Sequence, residues 1–296
     1  MPLDLLGKIL ALLCALMWAG AVILFKLAGD SIRPLALNLY KNALTVILLL
    51  PVLPLLGIPL APSGIPLRYW LAVAASGVLG IAVADTMFFT CLNRLGAGMT
   101  AIVDCLYAPF VMTAAWLALG EHPRLEQVGG AALVIAAVLV AAYRKNGERP
   151  TRQVVVGVLF GVGAMGIMAL SIVLMRPALE DLHVFWVTEL RMLAALLALL
   201  VLFAAQSGRR NLLAPLWRKG SRHFAFWGAI FGNLISMTLW IAAFKFTSVN
   251  SAAVLNQTNT VFVVVLAAVF LRDRFSLRRL LATALGVAGS LLVLLG

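Results

Sequence analysis

The sequence predicts an all-α polytopic membrane protein, with ten transmembrane helices arranged as two inverted five-helix repeats. Three observations lead there: a surplus of apolar residues, long apolar runs separated by short charged breaks, and a likeness between the two halves. Of 296 residues, 63% are apolar and 11% charged, against roughly 45–50% and about 25% in a soluble domain. A water-soluble chain of this length could not bury such a surplus. A bilayer removes the conflict.

A spanning helix needs roughly 20 mostly apolar residues. With charges, prolines and glycines as punctuation, the spans fall at 6–28, 34–57, 68–92, 98–119, 125–143, 152–175, 184–206, 222–245, 250–271 and 277–295. The run after Met1-Pro2-Leu3-Asp4 follows no basic region and contains no small-residue cleavage site. It reads as a first membrane helix and not as a removed signal peptide.

The net charge of +12 is no nucleic-acid footprint, because the basic residues sit between apolar runs instead of forming one basic face. Loops after odd-numbered helices hold Arg144, Lys145, Arg149 and Arg152, then Arg209, Arg210, Arg218, Lys219 and Arg222, then Arg272, Arg274, Arg278 and Arg279. The other loops hold only Arg68, Arg124, Arg176 and Lys245, with Lys8 on the same side. Short basic loops stay cytoplasmic, so both termini are expected outside. Cys14, Cys91 and Cys105 lie in apolar runs, and His122, His183 and His223 are scattered. No metal or cofactor is expected from that spacing. HExxH and GxSxG motifs and a nucleotide loop are absent from the sequence, so neither an enzyme nor an ATP-driven pump is predicted.

A polar linker from Tyr143 to Pro150 divides the chain into repeats at 1–146 and 147–296. A shift of 150 lays Lys26 on Arg176, Asn38 on Thr188 and Lys41 on Arg191. A shift of 151 lays Arg94 on Lys245 and Thr100 on Ser251, and one more residue lays Glu121 on Asp273. Five helices per repeat is an odd number, so the second repeat enters from the opposite face. That is a design of secondary transporters, with the site between the repeats near the midplane.

Ionisable residues inside spans mark pathways or buried pairs. Lys41, Asp85 and Asp104 each lie about 10 Å from one membrane face at 1.5 Å per residue, as a gate or as an ion pair locking helices 2, 3 and 4. Glu189 and Arg191 have corresponding depth in the second half but stand about 200° apart on their helix, so each needs a partner elsewhere. Asn38 and Lys41 share a face, as do Thr188 and Arg191. Asn256 and Gln257, followed by Thr258 and Asn259, cannot all face lipid, and Asn233, Ser236 and Thr238 are their expected neighbours. Trp18 and Tyr107 are the cavity aromatics, while Trp70, Trp186, Trp217 and Trp227 read as interfacial belt residues. The predicted cavity therefore comprises Trp18, Asn38, Lys41, Tyr107, Thr188, Arg191, Asn256 and Gln257. Its ionisable gate comprises Lys41, Asp85, Asp104, Glu189 and Arg191. Pro109 should kink helix 4 and act as a hinge.

Ala15-Leu16-Met17-Trp18-Ala19-Gly20 with Lys26, the basic Lys41 and Arg191, and the stretch from Gly96 through Pro109 to Leu119-Gly120-Glu121 and Gly129-Gly130 resemble the ten-helix EamA-type exporters of the drug/metabolite transporter superfamily. The second half departs from that pattern, with Thr260 in place of the proline and Leu271-Arg272-Asp273 at the turn. The resemblance implies export of small metabolites, amino acids foremost and aromatic ones among them, from a bacterial inner membrane. It also implies termini inside, against the charge distribution. The expected partners are a small-molecule substrate and the lipid bilayer, with proton coupling as an option and a monomer as the working unit. The alternatives are an organic-cation exporter using a membrane carboxylate and a receptor or scaffold without transport.

Overall fold

The computed structural model describes residues 3–119, 123–142, 151–207, 209–247, 252, 255–272 and 277–295. No strand occurs among them. Glu121 and Asp273, the linker at 143–150 and residues 248–251 lie outside the described residues.

Helix α1 (Leu3–Gly29) carries Asp4 in its first turn and Lys26 in its last, each charge opposing the nearer end of the helix dipole. Helix α2 (Pro34–Leu49) starts on Pro34, whose missing N–H and fixed φ suit a first turn. A short helical turn extends the span to Leu55. Helix α3 (Leu67–Leu95) ends on Gly96 at φ +79°, a left-handed stop that glycine adopts without a Cβ clash. The fourth span is broken into α4a (Ala97–Asp104) and α4b (Tyr107–Leu119). There follow α5 (Leu125–Ala142), α6 (Arg152–Asp181) and α7 (Val184–Ala204). His183 caps α7 by accepting from the Phe185 N–H at 3.3 Å. Burial and the nearby Lys245 ammonium lower its pKa and so favour the neutral, accepting ring. Lys219–Phe246 forms α8, Asn259–Phe270 forms α9 and Leu277–Leu295 forms α10.

Eight described helices are long and apolar enough to cross a bilayer, and two shorter apolar helices, α9 and part of α10, accompany them. α9 starts later than the span predicted at 250–271, because Gln257 and Thr258 form a turn that separates it from the helical residues Ala252, Leu255 and Asn256.

Packing is reciprocal between the halves. α1 lies along α8 and α6 along α3; α2 crosses α8 and α7 crosses α3; α9 meets α1 and the broken fourth span meets α6; α5 and α10 pack on each other. The last contact is very close. A Cβ on Gly130 would stand 2.6 Å from the Gly289 carbonyl oxygen, and one on Gly289 would stand 2.7 Å from that of Gly130. With lipid outside, helix association rests on such close packing.

Two internal irregularities repeat as well. Val78–Ala84 in α3 and Ala229–Ser236 in α8 are π-helical, a geometry that is rare and concentrates at functional sites. The shift of 151 carries the start of the first onto the start of the second.

The tryptophan belt needs one correction. Trp217 is 79% exposed, whereas Trp186 is only 3% exposed. Trp186 packs edge-on against Trp70, with centroids 4.7 Å apart, and donates to the Leu60 carbonyl at 3.1 Å. The loop after α2 covers a side chain that span-end position alone assigned to the interface.

Candidate functional site

Pro109 cannot donate to Cys105, and its ring crowds that carbonyl. The break accordingly falls one turn upstream, at Cys105–Leu106. The Cys105 carbonyl accepts instead from the Ala108 N–H at 3.4 Å and from Ser290 Oγ at 3.2 Å. The second half repeats the break at Gln257–Thr258 although Thr260 stands where proline would be. Thr260 Oγ1 instead reaches the Ala101 carbonyl at 3.4 Å and Asn259 Oδ1 at 3.2 Å, tying the two broken helices together. Backbone irregularity at membrane depth is tolerated where protein or a wet cavity receives it.

Here it borders a cavity. About 700 Å³ of atom-free space, part of it open to solvent, lies between the halves, and about 90 Å³ of it is free to the centres of water molecules. One water needs roughly 10–15 Å³ by that measure, so several fit. Trp18, Asp85, Phe88, Asp104 and Tyr107 line it from the first half. Met165, Met168, Ser236, Trp240, Asn256, Gln257 and Asn259 line it from the second.

Asp104 accepts from Asn259 Nδ2 at 3.4 Å, and it has no ion pair among the described residues. Asp85 differs. Lys41 Nζ donates to Asp85 Oδ2 at 2.7 Å and to Asn233 Oδ1 at 2.7 Å. Asn233, inside the second π segment, donates in turn to Thr45 Oγ1 at 2.9 Å and Asn42 Oδ1 at 3.3 Å. Asn38 Nδ2 donates to the Ile81 carbonyl and Thr86 Oγ1, both at 2.8 Å, which joins α2 to the first π segment.

The predicted residues thus divide into two groups. Trp18, Tyr107, Asn256, Gln257, Asp85 and Asp104 reach the cavity wall. Asn38, Lys41, Thr188, Glu189 and Arg191 are buried and do not line it. Despite the similar depth, Asp104 makes no ion pair with Lys41 among the described residues and bonds instead to Asn259, the first residue of α9.

Arg191 is fully buried. One guanidinium nitrogen meets the Met175 sulfur, and the guanidinium carbon Cζ lies 5.8 Å from the Trp240 ring centre. Its Nε and Nη2 have no partner among the described residues, and neither do the two oxygens of buried Glu189. Asp85 and Tyr107, both on the cavity wall, lie within electrostatic reach of Arg191. In the sequence, Asp85 corresponds to Ser236 under the shift of 151, so the second half has no carboxylate at the place where Lys41 finds one. The π segments, the α9 break and the wall residues Phe88, Met168 and Trp240 were not anticipated from the sequence. The regular shift of 151 was the one signal that could have placed the α9 break.

A family model described as the EamA-like transporter family matches residues 5–143 and again 155–295. The chain belongs to the EamA-like transporter family. A relative from Archaeoglobus fulgidus, described as an uncharacterized transporter, is 24% identical over 287 residues, covering 97% of each chain. A crystal structure aligns over 98% of this chain and 96% of its own at a TM-score of 0.71 with 18% identity, which shows a shared fold. EamA membership makes the chain an integral membrane transporter, and the doubled match places its two copies in tandem.

Proposed function

We propose that this EamA-family chain is a secondary transporter of small amine-bearing metabolites, amino acids foremost, and that it exports them across a bacterial inner membrane. The observation that carries the reading is Asp104. It is a cavity-wall carboxylate held by one amide and by no cation among the described residues. A substrate ammonium supplies the missing charge, and Trp18, Phe88, Tyr107 and Trp240 offer ring faces that attract cations and pack an apolar or aromatic body. Arg191, with two unpartnered nitrogens behind Trp240, is the buried cation that a substrate carboxylate would seek. Asp104 can also carry a proton when the amine is absent, which couples export to proton entry.

Alternating access then takes the form of the halves 1–146 and 147–296 rocking about the cavity, with Pro109 and the two broken helices as hinges. Lys41, Asp85, Glu189 and Arg191 are the ionisable gate. Asn38 and Thr188 hold the helices that carry it. Purified protein in proteoliposomes, tested against amino acids, their decarboxylated amines and quaternary ammonium ions with and without a pH gradient, examines this reading. Preference for amino acids over the matching amines supports it; equal transport of bulky quaternary cations favours an organic-cation exporter, for which the unpaired Asp104 and the aromatic wall also speak. No transport of any amine-bearing solute contradicts both.

A further inference from the structure

Away from the cavity, a second hollow carries charge of one sign. Lys219, Arg222, His223 and Phe226 line it from the first turns of α8, and Tyr40 closes it from α2. Its atom-free space is about 620 Å³, part of it open to solvent. The four α8 residues recur at spacings of three and four, so they share one helix face. No acidic residue lines the hollow, and none of the three basic side chains makes an ion pair among the described residues. Like charges on one face repel, and an anion in the hollow would relieve that repulsion.

The surroundings identify which anion. The hollow lies where an apolar spanning helix begins. Trp217 just before it is 79% exposed, Trp227 is 39% exposed, and Trp227 stacks on Phe231 at 5.6 Å. Exposed tryptophans at a helix entry mark the headgroup level of a bilayer, and below them α8 turns apolar. A free phosphate would satisfy the cations and leave the aromatic rim bare. An amphipathic anion satisfies both, and basic pockets between membrane helices hold lipid headgroups in this way.

We propose that Lys219, Arg222, His223 and Tyr40 form a binding site for the phosphate headgroup of an anionic phospholipid. The bound lipid spans α2 and α8, the two helices that Lys41 and Asn233 join deeper in the membrane. It therefore clamps the outer part of the same contact.

Native mass spectrometry and thermal unfolding of the full chain in neutral detergent test the proposal. The additives are phosphatidylglycerol, phosphatidylcholine and glycerol 3-phosphate. One phosphatidylglycerol should remain bound and raise the unfolding temperature by several degrees, with phosphatidylcholine and glycerol 3-phosphate giving at most a fifth of that shift. Lys219→Ala/Arg222→Ala should weaken phosphatidylglycerol binding at least tenfold, whereas Arg152→Ala leaves it unchanged. If the double variant does not fold, Arg222→Gln alone should weaken binding at least threefold. Equal binding of phosphatidylcholine, an equal shift from glycerol 3-phosphate, or undiminished binding by the folded variants overturns the proposal.

Discussion

Lys41 and Arg191 occupy corresponding places in the two halves, yet only Lys41 has a carboxylate in hydrogen-bonding reach, Asp85 at 2.7 Å. Removing one member of a buried pair strands the other charge, at a cost of about 3–5 kcal/mol. Lys41→Met or Asp85→Leu alone should therefore sharply lower the unfolding temperature in detergent. The double variant, with both charges gone, should recover most of that loss while transport stays impaired. A double variant as unstable as the two losses added would show that the pair is not coupled.

The broken fourth span gives a second prediction. In Pro109→Ala the new N–H can bond the Cys105 carbonyl and close the break, so transport should fall several-fold with the fold retained. Thr260→Pro acts where the chain already turns; it removes the 3.2 Å bond from the Thr260 N–H to the Gln257 carbonyl and the hydroxyl's bonds to the Ala101 carbonyl and Asn259 Oδ1, each worth about 1 kcal/mol. It should keep most of its transport, whereas proline at Val264, inside α9, should not fold. Transport by Thr260→Pro as poor as by Val264→Pro would refute the equivalence of the two breaks.

Neighbouring glycines in α5 should behave oppositely. A Cβ on Gly129 meets nothing within 4 Å, while one on Gly130 meets the Gly289 carbonyl oxygen at 2.6 Å. Gly129→Ala should be neutral. Gly130→Ala should cost about 1–3 kcal/mol, the usual range for overpacking, as read from thermal unfolding. Equal stability of the two variants would mean that α5 and α10 are not this close.

Orientation sets charge against resemblance. Basic residues crowd the loops after odd-numbered helices, so the C-terminus should lie outside. A C-terminal alkaline phosphatase fusion should be active and a green fluorescent protein fusion dark. The reverse would show that other EamA exporters are the better guide.

Much of this was legible in the sequence for identifiable reasons. Apolar length gave the helices, and the cost of charge in lipid singled out Lys41 and Asp85 as candidates for pairing. Pro109 announced an interruption, though not that its effect would fall at Cys105, one turn upstream, where its ring meets a carbonyl. The π segments have no residue signature; each packs on a helix of the other half, α7 for the first and α2 for the second. The α9 break has no proline to announce it, and the Thr260 hydroxyl beside it bonds across to the Ala101 carbonyl. Trp186 was misplaced because its burial depends on a loop that has no periodicity.

The central claim is that solutes pass through the cavity between the halves, along a wall that includes Trp18, Tyr107, Asn256 and Gln257, while Asn38 and Thr188 lie buried behind it. Single cysteines at these six positions, in a background lacking Cys14, Cys91 and Cys105, can be treated with a water-soluble maleimide. The account predicts labelling at positions 18, 107, 256 and 257, slowed at least threefold by a transported amino acid, and little labelling at 38 and 188. Labelling at 38 and 188 but not at the four wall positions, or no slowing at any wall position by a solute shown to be transported, would contradict it.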